Sequence, residues 1–370
     1  MDLGSSTLAS LLAAVLTAVL LAGSAPARAV EVDKKGPALS KVQAEDWLRH
    51  PNDHSYYTES WTTILRSKQG HVVFITFLYS NIGVFAGSTG VSVSLAMPGE
   101  KARHYVYEYP TGQYAQDATS GRVAIASHFM SAREGQVFVR IKEKDLKMDI
   151  TLQGWTAGVK FHDGKMYLDE KRSKWLQFFV HVPRGQATGE IEADGKKIAF
   201  EGDGYMDHWV QNVLGSDYST HWWTARLFHP THSVILMVVK LTEEYGGKRF
   251  ARLIVTDRKK VLVFDDSLVL KGSREKSDPK GHKYARHYEV KHSGAQLSLA
   301  GSFAGEFLFD REAILDRMNA AQKQIVKMVA GNPVIYRMSG TGNLKLAVKG
   351  AKTMLKGPAI MESIVLGDDE

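Results

Sequence analysis

The stretch Gly202-Asp-Gly-Tyr-Met-Asp-His-Trp209, followed by Trp222-Trp-Thr-Ala-Arg226, sets glycines, a phenol, an Asp-His pair and three indoles between apolar runs. Glycines let a backbone turn sharply or approach a neighbour closely. Large aromatics beside a lone Asp-His pair suit a mostly apolar pocket with a few polar groups. The runs on either side carry the fold. Residues 72–79 form an unbroken β-branched and aromatic run, the pattern of a strand covered on both faces. Residues 91–97 alternate, with Val91, Val93, Leu95 and Met97 on one face.

Further short strands are expected at 104–109, 121–129, 136–141, 148–152, 175–182, 189–193 and 197–202, several of them separated by turns such as Pro98-Gly99 and Asp194-Gly195. Past Trp209 the pattern restarts at 222–228, 233–241, 249–256, 260–264, 268–271, 285–290, 296–300 and 305–309. Ile314, Met318, Ala321, Ile325, Met328 and Val329 fall near helical spacing, predicting one helix over 311–330 that ends at Gly331-Asn-Pro333. Tyr336, 344–348 and 360–366 complete the series as closing strands. Helices do not alternate with strands, which excludes a parallel dinucleotide-binding sheet. Repeated short strands instead indicate an all-β protein of sandwiches or barrels.

At 370 residues the chain exceeds what one core usually supports, so two units are expected. The net charge of +7 is spread along the chain, with no zinc-finger spacing, basic helix or phosphate loop, and nucleic acid is not an expected partner. Residues 8–22 are a mainly Leu, Ala and Val run ahead of Ala27-Arg-Ala29, a small-x-small cleavage site. Residues 1–29 therefore read as an export signal, giving a periplasmic or secreted protein, and 30–53 as a polar lead-in with one short helix at 41–49. No cysteine is present, so disulfides and thiolate chemistry are excluded.

Two motifs resemble a known family. Gly70-His-Val-Val-Phe-Ile-Thr-Phe-Leu-Tyr-Ser-Asn-Ile-Gly83 is similar to the opening strand of survival-factor-like proteins, and Gly202-Asp-Gly-Tyr-Met-Asp-His208 to the Gly-x-Gly-Tyr-x-Asp-His signature of the wider superfamily that includes carotenoid hydratases and fungal pericyclases. The resemblance spans roughly 59–366. It implies two tandem lipocalin-like β-barrels, divided as 54–204 and 205–366, with the 311–330 helix in the second, 367–370 as an acidic tail, and a hydrophobic cleft near the junction. Survival-factor-like members are linked to oxidative-stress survival and to carrying ceramide-type lipids. Carotenoid hydratases add water to an isoprenoid double bond, and their functional tyrosine, aspartate and histidine correspond here to Tyr205, Asp207 and His181. After His208 this chain reads Trp-Val-Gln-Asn212 where the hydratases have Asn-Trp-Gly.

Two readings follow. In the first, a lipophilic ligand (a lipid, sphingolipid or isoprenoid) is bound without turnover by Tyr205, Asp207, His208, Trp209, Trp222, Trp223 and Arg226, with Arg226 available to an acidic head group. In the second, Asp207 is kept protonated by apolar surroundings and donates a proton to a polyene, with Tyr205 and His181 beside it. Asp207 and His208 can equally lock the backbone, because buried polar groups are paired whether or not they react. Trp222 and Trp223, adjacent in a strand, face opposite ways. His208, His221, His229 and His232 have no recognisable ligand spacing, so neither a metal nor a cofactor is expected. Lys345, Lys349, Lys352 and Lys356 are either available to an anionic membrane surface or a solvated strand edge.

Overall fold

The structure is a computed structural model describing residues 39–81, 87–133, 135–265, 268–294, 297–313 and 333–366. The expected export signal, most of the expected helix and the acidic tail lie outside the described residues.

The first sheet comprises β1 (Leu39–Lys41), β2 (Thr58–Ser67), β3 (Val72–Ser80), β4 (Ser88–Ala96), β5 (Arg103–Pro110), β6 (Tyr114–Asp117), β7 (Arg122–Ile125), β8 (His128–Arg133), β9 (Gln136–Lys142), β10 (Leu146–Gly154), β11 (Val159–Tyr167), β12 (Trp175–Ala193) and β13 (Lys196–Gln211). Its order is β5-β4-β3-β2-β13-β12-β10-β9-β8-β7-β6, with β11 against β12 and β1 against β11. The ends of that path, β5 and β6, are joined by a single turn at Thr111–Gln113. One apolar core takes Leu65, Val73, Val93, Val123, Val139, Ile150 and Met206 from strands along the whole path, so the sheet wraps into a nearly closed barrel.

A short helix, α1 (Gly215–Tyr218), leads into the second sheet. This contains β14 (Ser219–Phe228), β15 (His232–Leu241), β16 (Arg249–Asp257), β17 (Val261–Asp265), β18 (Leu268–Ser277), β19 (Lys283–Ser293), β20 (Leu297–Ala313), β21 (Val334–Val348) and β22 (Ala351–Val365). The order is β17-β16-β15-β14-β22-β21-β20-β19-β18, around its own core of Leu227, Leu236, Leu253, Val290, Phe303, Leu344 and Leu355. The protein is thus nearly all-β, two lipocalin-like units in tandem.

Long strands replace several expected short ones. Residues 175–182 and 189–193 belong to one 19-residue strand, β12, and the expected 197–202 strand continues to Gln211 as β13. The Gly202–Trp209 motif is therefore mid-strand, and the change of sheet falls after Gln211, beyond the 204/205 division. Residues 121–129 split into β7 and β8 at Ala126, whose φ of 53° closes a tight turn. Arg311–Ala313 finish β20 and do not begin a helix. The helix expected at 41–49 is a 3-10 turn, Glu45–Trp47, that buries Trp47 in the first core. Strands β1, β2, β6 and β11 fall outside every expected strand.

The two units meet along an apolar seam. Ile64, Phe74, Val180 and Tyr205 of the first pack with Phe228, Ile235, Ile254 and Ile360 of the second. Truncating one such aliphatic to alanine costs about 2–5 kcal/mol.

Candidate functional site

Strand β13 lies between β2 and β12, with Gly204 opposite Leu65 and Gly185, and His208 opposite Trp61 and Phe179. A Cβ at Gly202 would fall 2.0 Å from the Arg66 carbonyl oxygen, and one at Gly204 2.5 Å from a Leu152 methyl. The glycines of the motif are thus required by close approach within the first barrel. Strand alternation then sorts the motif between two environments. Met206 and His208 point into the first barrel, while Tyr205 and Trp209 pack in the seam.

On the interior face, His208 is fully buried and both its ring nitrogens face oxygens: Nδ1 lies 2.8 Å from the Asp46 carbonyl and Nε2 2.7 Å from Glu59 Oε1. Glu59 also receives His50 Nδ1 at 3.0 Å and the Tyr57 hydroxyl. Burial pushes the Glu59 carboxyl up, but the hydrogen bonds from His208, His50 and Tyr57 outweigh it and hold the pKa at about 2. His208 stacks on Trp61, centroids 4.5 Å apart, and the Trp61 indole donates to the Trp47 carbonyl at 2.8 Å. His181 stacks on the other side of His208 at 5.7 Å, and burial lowers its pKa well below the ordinary value, leaving it neutral. The structure therefore brings His181 to His208, and not to the seam face that carries Tyr205 and Asp207. Glu59 is a site residue outside the expected strands, and the alternation of Glu59, Trp61 and Thr63 in β2 is the signal that marks it; His50 lies in the irregular segment before β2 and carries no such signal.

On the seam face, Asp207 Oδ2 is 3.5 Å from Arg226 Nη2. Arg226 lies closer to Glu362 Oε2, at 3.0 Å, and its guanidinium covers the Tyr205 ring at 4.3 Å. Burial outweighs this shared cation, and the Asp207 pKa rises to about 6. The charges continue as a ladder. Arg337 reaches Glu362 at 3.2 Å and Asp310 at 2.7 Å, and Asp310 accepts from Ser94 across the seam at 2.8 Å. Arg226 is thereby committed to Asp207 and Glu362, as a stitch between the barrels.

Trp209 and Trp222 meet at 4.9 Å in the seam, while Trp223 packs against the second core and stacks on His221. Tyr205, Asp207 and Arg226 are packed by their own neighbours, so the roomy junction expected at these positions is not found there. Space lies next to Trp209. A small cleft of about 20 Å³, roughly one water molecule, is lined by Phe161, Met166, Leu176, Phe178, Trp209, Met237, Lys165 and Arg252, from both sheets. A larger, open groove of about 460 Å³ runs between Arg66, Val72 and Pro98 of the first barrel and Ser339, Thr341 and Lys356 of the second. Neither Tyr205 nor Asp207 lines either space.

Of the histidines weighed for a metal, His229 and His232 lie together, rings 6.0 Å apart, away from His208. His208 joins His50 and Glu59 instead, their ligand atoms within 4.8 Å of one another and already hydrogen-bonded among themselves.

Solved structures share the fold. CghA with Sch210972 is 10% identical with a TM-score of 0.60, covering 90% of this chain and 100% of its own. An AttH-like protein from Nitrosomonas europaea is 15% identical, TM-score 0.56, covering 93% and 98%. Kievitone hydratase from Nectria haematococca is 13% identical, TM-score 0.55, covering 92% and 96%. At these identities the likeness is one of fold. No curated protein matches the sequence. The family model described as Svf1 family matches residues 18–366, nearly the whole chain, and the chain belongs to that family.

Proposed function

We propose that the protein binds a lipophilic small molecule in the seam beside Trp209, without turning it over. The observation that carries this is the lining of the small cleft: aromatic and thioether side chains from both barrels, with two cations at hand. Met166 and Met237 are flexible and polarisable, and can move to enlarge the space. Arg252, which covers the Phe161 ring at 4.2 Å, and Lys165 suit an acidic or phosphorylated end of the guest. CghA, which has the same fold, was solved with Sch210972.

The polyene fatty acid cis-parinaric acid is a suitable probe. Titrating it should quench the tryptophan fluorescence, and Trp209→Ala should weaken uptake at least about tenfold, the loss of roughly 1.4 kcal/mol of contact. An unquenched protein at saturating probe would overturn the proposal.

One observation favours a second reading, proton donation to a polyene or isoprenoid: at neutral pH Asp207, with its pKa near 6, keeps a protonated fraction. Asp207 lines neither of the two spaces, an observation that supports the binding reading. Catalysis would show as a mass or absorbance change in an incubated polyene that Asp207→Asn abolishes while uptake persists.

A further inference from the structure

The lysines near the chain's end are not on a strand edge. β22 lies between β14 and β21, and β21 between β22 and β20, so Lys345, Lys352 and Lys356 stand on interior strands of the second sheet. Protecting an edge against strand addition cannot be their role. Their alternation with Leu344, Leu346 and Leu355, which enter the core, points them outward.

The register places them in a pattern. Val269 pairs with Lys291, Lys291 with Ala300, Ala300 with Lys345 and Lys345 with Met354, a row of exposed residues crossing β18, β19, β20, β21 and β22. At about 4.8 Å per strand the row is roughly 19 Å wide. Its two ends, Val269 and Met354, are 66% and 57% exposed, more than any other large apolar side chain among the described residues. One flanking row runs from Lys271 through Glu289, Ser302 and Asn343 to Lys356, and the other from Ser293 through Ser298 and Ala347 to Lys352. Lys349 sits at the tip of the β21–β22 hairpin. Across these rows the one acidic side chain is Glu289.

We propose that this outer face of the second barrel docks on an anionic lipid bilayer, with Val269 and Met354 entering the head-group region and the lysines pairing with lipid phosphates and carboxylates. The chemistry selects that occupant. Lysine presents a point charge on a flexible apolar stem that can lie along a head-group layer. The rows offer no arginine fork for bidentate phosphate recognition and no aromatic ring for base stacking, which a nucleic acid would use. Apolar side chains surrounded by lysines are the composition of an interfacial surface. The inference goes beyond the cleft reading, and its test reads docking and not ligand uptake.

The chain has no cysteine, so a single introduced thiol can be labelled cleanly. Met354→Cys carrying an environment-sensitive nitrobenzoxadiazole should brighten and shift to the blue with vesicles of phosphatidylcholine containing phosphatidylserine, and remain unchanged with phosphatidylcholine alone. The same label at Val106→Cys, on the exposed side of β5, should not respond. In co-sedimentation with the mixed vesicles, Lys291→Ala with Lys345→Ala should lower partitioning about 25-fold, from about fivefold per lysine. Neutralising Lys142 and Lys144, exposed on the first barrel, should leave it unchanged. A silent label at 354 while the vesicles bind, an equal response at 106, or a response to a soluble polyanion but not to vesicles would each overturn the proposal.

Discussion

On the interior face of β13, Glu59 accepts hydrogen bonds from His208, His50 and Tyr57 and stays ionised down to about pH 2; on the seam face, Asp207 shares Arg226 with Glu362, and its pKa climbs to about 6. Both carboxyls are buried, and burial raises both. The difference lies in what surrounds them. His208 Nε2 at 2.7 Å, His50 Nδ1 at 3.0 Å and the Tyr57 hydroxyl offset the loss of water around Glu59, whereas a guanidinium at 3.5 Å that is closer to another acid does not offset it around Asp207. His208 and Asp207, neighbours on β13, therefore serve a carboxylate held ionised and an acid that retains its proton, because alternation turns one into the first barrel and the other to the seam.

The largest effect should come from Glu59→Ala, which leaves the fully buried His208 and the Tyr57 hydroxyl without their acceptor, while the half-buried His50 can turn to water. A loss of about 3–5 kcal/mol is expected in urea unfolding. A loss under about 1 kcal/mol would mean that the interior network contributes no more than a single hydrogen bond, and the contrast would fail.

Gly202→Ala and Gly204→Ala probe the packing that holds β13 in register between the two environments. Overpacking costs about 1–3 kcal/mol, and Gly202→Ala should cost more. Its obstacle is a backbone oxygen at 2.0 Å, while the Leu152 methyl facing Gly204 can rotate aside. The reverse ranking would show that β2 yields more easily than the leucines do.

Asp207→Asn should be the mildest, within about 1 kcal/mol near pH 5, where the wild-type group is largely protonated already. The pH dependence separates the two faces. Asp207 has a folded pKa above its ordinary 3.8, so its contribution is greatest at low pH and declines as pH rises from about 4 to about 6. Glu59 has a folded pKa below its ordinary 4.5, so its contribution is full above about 4.5 and is lost as pH falls toward 2. Subtracting each variant's stability profile from that of the wild type should reveal slopes of opposite sign. Slopes of the same sign would sink the account of the two environments.

Much of the architecture was legible in the chain. The unbroken run now in β3 and the alternation of Val91, Val93 and Leu95 in β4 identify strands because covered faces dictate those patterns, although the opposite face of β4 is also buried, by Ser94 and Ala96 at the seam. The opposed directions of Trp222 and Trp223 followed from strand periodicity alone. The candidate site was only partly legible. Tyr205, Asp207 and Arg226 were expected together and meet, but His181 was grouped with them and lies instead against His208.

Local patterning by itself determined an all-β chain in two units and singled out 202–226 as unusual, since side-chain periodicity and glycine placement are properties of neighbouring residues. Only the tertiary structure decided that Glu59 would clasp His208 from 149 residues away, that the expected cavity at Tyr205 would be filled and a smaller one left beside Trp209, and that lysines of β18, β19, β21 and β22 would share one face of a five-stranded stretch of sheet. Those outcomes depend on strand register and barrel closure, which are set by how distant segments fit together.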